Sequence, residues 1–371
     1  MRVLLLAGTR PEAIKIIPVY KTLKKDSRFS VILCNVGQHL EMIEQVFKDF
    51  DVVPEEKLSV MEKGQSLAKL SSKLFSDIET LYDKIQPDVV LVQGDTTTVL
   101  IASIVAYYKK IKIGHIEAGL RSSNLLSPHP EEGNRRMVSS VANFHFAPTQ
   151  RAKCNLLREN IKEENIAVTG NTVIDSVIEQ AKSLNENRDK LDQKTQDFLN
   201  SGMKMILVTS HRRENLQGGL THMCEALLRL LDQFSDLFFV IPVHLNPLVR
   251  KEIFSKLGSA ERIVLLDTLP YKLFLSYLKS CFLVLTDSGG IQEEAPVFDK
   301  PVLIMRDTTE RQEGVEAGVA LLIGTEIDSI CTQTSLLLRN SNEYLRMARS
   351  KNPFGDGLAS ERIRDFLLEK R

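Results

Sequence analysis

The chain has 371 residues, and its 48 Lys and Arg match 48 Asp and Glu, so the formal net charge is zero. That length suits two domains, each burying its own core, and a neutral chain without a basic block offers nothing to nucleic acid or an anionic membrane. Five cysteines (Cys34, Cys154, Cys224, Cys281 and Cys331) show no CxxC spacing and fall mostly in apolar runs, which reads as buried thiols and not as disulfides or metal ligands.

In chain order, β-rich apolar runs are predicted as strands at Val3–Ala7, Val31–Val36, Val89–Gln93, Ile111–Ile116 and Phe144–Ala147. A second series follows at Met205–Thr209, Phe238–Pro242, Ile263–Leu266, Phe282–Thr286 and Val302–Met305. Helical patterns separate them, as at Ala13–Lys25, Gln65–Lys84 and Gly219–Gln233. Apolar strands alternating with helices predict α/β architecture with parallel sheets covered on both faces. Two series, each restarting with a polar turn after its first strand, predict two doubly wound, Rossmann-like domains facing a cleft. The boundary is expected near Val168–Thr172, giving domains over 1–169 and 170–356. The charged segment Asn185–Gly202 reads as surface helix. A terminal helix within 357–371, centred on Ala359–Lys370, could return to the first domain. The start reads as a strand and polar turn rather than a signal peptide, and no apolar run reaches membrane length, so a soluble, cytoplasmic protein is expected.

In open α/β sheets ligands sit beyond the carboxyl ends of the strands, so the polar turns there are the candidates. Gly8-Thr9-Arg10-Pro11-Glu12 follows the first strand, with Lys15 a turn further on. A glycine turn into a helix start presents amides and a positive dipole end to an anion, and Arg10 and Lys15 add charge. It is not GxGxxG, so no dinucleotide site is supported. Asp95 follows the third strand in Gly94–Thr98, as a site residue or a helix cap. Glu117, in His115–Arg121, ends a buried strand; an ion pair with Arg121 is its competing reading. Glu131 and Glu132 follow a proline-shaped loop at a helix start, where acids also suit the dipole. In the second half, Thr209–Asn215 sets His211 beside Arg212 and Arg213. Ser288-Gly289-Gly290 forms an amide pocket suited to a diphosphate, with Glu294 a turn on, and Arg306–Arg311 adds cations. Cations and amides without clustered His or Cys point to a pyrophosphate held without metal. Asp95, Glu117 and Glu131 add acid–base carboxylates.

These motifs resemble, in order and along nearly the whole chain, the non-hydrolysing UDP-N-acetylglucosamine 2-epimerases. The match runs through GTRPEAIK at Gly8–Lys15, GQHLEM at Gly37–Met42, GDTTT at Gly94–Thr98 and HIEAGLR at His115–Arg121. It continues with PEEGNR at Pro130–Arg135, GNTVID at Gly170–Asp175, HRREN at His211–Asn215 and PVHLNP at Pro242–Pro247. DSGGIQEEAP at Asp287–Pro296 and RDTTER at Arg306–Arg311 complete it. The resemblance implies the GT-B fold, a homodimer and no cofactor. It implies elimination of UDP to 2-acetamidoglucal and re-addition, interconverting UDP-GlcNAc and UDP-ManNAc for surface polysaccharide precursors. By the same resemblance Asp95, Glu117, Glu131 and His211 are catalytic. Arg10, His211, Ser288, Gly289, Gly290 and Arg311 bind the UDP phosphates, Glu294 the ribose, and Phe274 stacks on uracil. Lys15, Gln38, His39, Glu41, Arg212 and His244 fall near a second, activating UDP-GlcNAc site. Glu41, where some members have Gln, and Gly64, where they have a basic residue, depart from that pattern. The rival expectations are a hydrolysing 2-epimerase, against which Pro11-Glu12 argues, a GT-B glycosyltransferase, a non-catalytic UDP-sugar sensor and an enzyme for a UDP-diacetamido-uronate.

Overall fold

The computed structural model describes residues 1–37, 40–62, 64–122, 124–184, 191–210 and 218–370, the side chains of 40–42 excepted. They form two compact units, Met1–Ser176 with Phe354–Arg371, and Val177–Pro353.

The first unit holds strands β1 (Arg2–Ala7), β2 (Ser30–Asn35), β3 (Glu56–Lys57), β4 (Val89–Gln93), β5 (Lys112–Ile116), β6 (Phe144–Ala147) and β7 (Ile166–Val168). Its helices are α1 (Arg10–Lys24), α2 (Leu40–Asp49), α3 (Leu67–Ile85), α4 (Thr97–Tyr108), α5 (Glu131–Val141) and α6 (Gln150–Arg158). Next comes α7 (Thr172–Ala181), which crosses the division between the units. The sheet is parallel in the order β3-β2-β1-β4-β5-β6-β7. β1 and β4 are almost wholly apolar and buried, as strands covered on both faces must be. The winding reverses between β1 and β4, so the turns after these strands lie side by side, where this architecture places ligands.

The second unit holds α8 (Gln193–Asn200), β8 (Lys204–Thr209), α9 (Gly219–Gln233), β9 (Leu237–Pro242), α10 (Pro247–Leu257), β10 (Ile263–Leu266) and α11 (Tyr271–Ser280). It continues through β11 (Leu283–Thr286), α12 (Gly289–Glu294), β12 (Val302–Ile304), α13 (Gln312–Glu316), β13 (Ala320–Leu322), α14 (Ile327–Arg339) and α15 (Ser341–Ala348). Its parallel sheet runs β10-β9-β8-β11-β12-β13 and reverses between β8 and β11. Leu227, Leu230, Phe239 and Leu285 are among its fully buried core.

The last helix, α16 (Ala359–Glu369), packs on α1 in the first unit. Phe366 meets Phe144 and Phe146 edge-on, with ring centroids 5.8 and 5.6 Å apart. Leu358 cannot cap this helix, so Asp175 does so from a distance, accepting the amides of Ala359 (3.3 Å) and Ser360 (2.8 Å).

All ten predicted strands are present. Three more, β3, β7 and β13, are two or three residues long, too short to show a period. The first helix begins at Arg10, not Ala13, because Pro11 fits a first turn and Glu12 binds the amides ahead of it.

Candidate active site

In the first unit the site is a row of turns after β1, β4 and β5. Glu12 Oε2 accepts the amides of Gly8 (2.5 Å) and Thr9 (3.2 Å), fixing the turn that leads to half-buried Arg10. Asp95 stands in the next turn. Its Oδ2 receives Arg135 Nε at 2.9 Å and Nη2 at 2.6 Å, and its backbone carbonyl receives Asn134 Nδ2 at 2.8 Å. Asp95 is therefore not the cap of α4; Thr96 is, accepting the Val99 amide at 3.3 Å.

Glu117 follows β5. It is 8% exposed and has φ 65°, a left-handed conformation costly for a side chain of this kind. Its Oε2 accepts Lys15 Nζ at 2.5 Å and the Gln93 amide nitrogen. The alternative pairing with Arg121 does not form. Arg121 grips Glu159 with both Nε (2.7 Å) and Nη2 (2.6 Å) and also reaches Ser139. Behind this row, His115 Nε2 lies 2.7 Å from the Gly94 carbonyl and holds the Asp95 turn. Burial pushes His115 down to about 4, so it is the neutral ring that donates here.

The two glutamates at the start of α5 separate. Glu132, fully buried, binds Arg135, Arg136 and the Ser122 amide, each at 3.1 Å. Glu131 keeps a buried Oε2 with no hydrogen-bond partner among the described residues. Because Asn134 and Arg135 of α5 reach Asp95, the start of that helix adjoins the Asp95 turn.

In the second unit the turns after β8 and β11 meet. Ser210 Oγ donates to buried Asp287 at 2.9 Å, and the hydroxyls of Thr209 and Thr286 pair at 2.6 Å. Ser288 leads into α12 with its amide on Thr286 Oγ1 at 2.9 Å. Arg311 lies against the Gly289 backbone: a Cβ there would be 3.1 Å from its Cζ. Glu293 (2.9 Å) and Glu310 (3.0 Å) hold the guanidinium, and Glu310 also takes Arg306 at 2.9 Å. Gly290 is the second residue of α12, with nothing near its missing side chain. Glu294 accepts the Tyr271 hydroxyl at 3.3 Å. Phe274 is half-buried on α11, and His244 is exposed beyond β9. Gln38, His39, His211 and Arg212, and the side chain of Glu41, lie outside the described residues.

Asp95, Glu117 and Glu131 are thus gathered at one sheet edge, and Ser288, Gly289 and Arg311 at another. Lys15, read from sequence as an anion ligand, lies on the Glu117 carboxylate. Sequence reasoning missed Gln93, Arg135, Glu293 and Tyr271. A polar residue closing the apolar strand β4 could have flagged Gln93. Among the described residues no group of three or more His, Cys, Asp and Glu could hold a metal ion, and no helix is long and apolar enough to cross a membrane.

Two doubly wound parallel units with charged turns at their strand ends define an α/β protein of GT-B-like fold. Residues 21–368 match the family model for UDP-N-acetylglucosamine 2-epimerase. The UDP-N-acetylglucosamine 2-epimerase of Escherichia coli K12 is 44% identical over 374 residues, covering 100% of this chain and 99% of its own. The solved UDP-GlcNAc 2-epimerase of Neisseria meningitidis, bound to UDP-GlcNAc, is 43% identical with a TM-score of 0.93, covering 100% of both chains. That of Methanocaldococcus jannaschii, in complex with UDP-GlcNAc and UDP, is 33% identical with a TM-score of 0.83, again covering 100% of both. The chain belongs to the UDP-N-acetylglucosamine 2-epimerase family.

Proposed function

We propose that this protein interconverts UDP-GlcNAc and UDP-ManNAc without releasing free sugar, by eliminating UDP and adding it back. The C2 proton is too weakly acidic for simple abstraction and return. In elimination a carboxylate takes that proton as the C1–O bond breaks, giving 2-acetamidoglucal and UDP. In re-addition the C1–O bond re-forms and C2 receives a proton on its other face. Asp95, Glu117 and Glu131 are the acid–base groups, and His211 serves the leaving phosphate. Arg10, His211, Ser288, Gly289, Gly290 and Arg311 take the diphosphate, Glu294 the ribose and Phe274 the uracil. The domain formed by 1–169 and the terminal helix supplies the carboxylates, and 170–356 supplies the UDP site.

The observation that carries this reading is the row of carboxylates at adjacent strand ends, oriented before any charge develops: Asp95 by Arg135 and Glu117 by Lys15 and Gln93. Relatives solved with UDP-GlcNAc and UDP supply the ligand class. A homodimer, activation by a second UDP-GlcNAc near Lys15, Gln38, His39, Glu41, Arg212 and His244, and a role in surface polysaccharide precursors belong to the same proposal. NMR of UDP-GlcNAc with the protein in D₂O and EDTA, without NAD, tests it. UDP-ManNAc carrying deuterium at C2 is expected; accumulation of ManNAc and UDP would assign the hydrolysing reaction instead.

A further inference from the structure

The mechanism above gives the buried carboxyl group of Glu12 no task. Glu12, in the first turn of α1, is 2% exposed. One oxygen takes the Gly8 and Thr9 amides, and the other, Oε1, is buried with no hydrogen-bond partner among the described residues. Capping a helix does not require that. Glutamine would hold both amides through its carbonyl, and an acid with an unmatched oxygen is costly in a buried corner. The corner is shared. β1 pairs with β4 with Leu5 across from Leu91, and continuing that register sets Gly8-Thr9 beside Gly94-Asp95. The Thr96 hydroxyl and the Asp95 carboxylate both act on Glu12.

We propose, building on the functional reading above, that Glu12 is a positioning residue for epimerisation: one oxygen ties down the Gly8–Thr9 turn, and its protonation state sets the charge that Asp95 works against. Burial raises Glu12 to about 7, with Thr96, Gly8 and Thr9 pulling it back and Asp95 pushing it further up. It therefore changes charge around neutrality. Asp95, after β4, is paired with Arg135 of α5; β4 itself brings none. On α1, Arg10 precedes it and Lys15 is bound to Glu117. From α2, Glu44 pairs with Lys57. From α16, Arg364 and Asp365 pair beside Asp26 and Arg28, past the far end of α1.

The test records kcat and KM for UDP-GlcNAc across the neutral range in the unsubstituted protein and Glu12→Gln. Alongside, ¹³C-carboxyl NMR of glutamate-labelled protein follows Glu12 directly. The unsubstituted protein should show an ionisation at about 7 in kcat. Glu12→Gln should keep its KM, lose that ionisation and lose kcat on the order of 10-fold, the equivalent of about one pKa unit at the catalytic carboxylate. One labelled carboxyl should titrate at about 7, vanish in Glu12→Gln and titrate at lower pH in Asp95→Asn. An unchanged kcat profile in Glu12→Gln, a Glu12 signal in the ordinary carboxylate range, or a midpoint indifferent to Asp95→Asn would each overturn the inference. Should Glu12→Gln not fold, the last two readings still decide. Failure of the unsubstituted protein to epimerise would sink the functional reading instead, and the NMR coupling would judge Glu12 separately.

Discussion

Lowering the pH from about 6 to 5 should weaken the first unit by roughly 1.4 kcal/mol. His115 and His145 face each other across β5 and β6 and are 0% and 1% exposed. Burial lowers them to about 4 and about 3, where a free imidazole sits near about 6.5. In that interval the unfolded chain protonates both rings and the folded chain neither. Two protons bound on unfolding give a slope of about 2.7 kcal/mol per pH unit, with stability present above the free imidazole value and lost as pH falls. Glu12 opposes this. Its folded carboxyl, raised from 4.5 to about 7, holds a proton that the unfolded chain releases. For these three groups together the net is one proton, or about 1.4 kcal/mol per pH unit. Substitution separates the groups. His145→Gln should leave the slope near zero, and Glu12→Gln should restore about 2.7 kcal/mol per pH unit. Urea unfolding at fixed pH, read by hydrogen exchange of the β5 and β6 amides, measures this unit directly. A flat dependence in the unsubstituted protein, unchanged by Glu12→Gln, would refute the account.

Three further outcomes follow from contacts already described. Gly289→Ala places a Cβ 3.1 Å from Arg311 Cζ and 3.2 Å from Nη1, which must shift the guanidinium. Isothermal titration calorimetry should show UDP bound about 10-fold more weakly, equivalent to about 1.4 kcal/mol, while the thermal midpoint holds. Lys15→Met takes the cation from a buried pair with Glu117, so urea unfolding should register a loss of roughly 3 to 5 kcal/mol. Its kcat, by coupled assay, should fall on the order of 100-fold as Glu117 loses its orientation. UDP at about 100 times its Kd should raise the unfolding free energy by about 2.7 kcal/mol, and a Glu294→Gln variant should need more UDP for the same gain.

Local features were legible in the sequence, and partners were not. Strands such as β4 announce themselves because five consecutive buried residues leave no other role for them. The short β3 holds its place only by pairing with β2, which no period in two residues can reveal. Likewise Glu117 stood out as a charge directly after an apolar run, and Asp95 and Arg311 as charges in polar turns that follow one, but what holds each did not. Lys15 and Glu117 are 102 positions apart and meet because β4 lies between β1 and β5. The nearby candidate, Arg121, was misleading. Glu117 turns through a left-handed backbone toward the row of turns, and Arg121 has a better fork in Glu159.

The pairings make physical sense for the proposed reaction, which would move charge from C2 toward a departing diphosphate. A lone charge buried at a strand end would cost several kcal/mol or change its protonation. Here Asp95 lies against Arg135, Glu117 against Lys15, and Arg311 between Glu293 and Glu310. Each charge is thereby kept in place and in orientation before it is needed, which is what preorganised electrostatic catalysis requires. The same arrangement exposes a weakness. Removing one member strands the other in a dry environment, so these positions should couple stability to activity more tightly than exposed pairs such as Lys57–Glu44. Glu12 departs from the pattern. It is buried more deeply than Asp95 and set in the same corner, yet one of its oxygens takes two amides and the other has no hydrogen-bond partner among the described residues. The Thr96 hydroxyl offsets part of the cost and a proton can offset the rest, which makes its charge, unlike that of a firmly paired residue, responsive to pH.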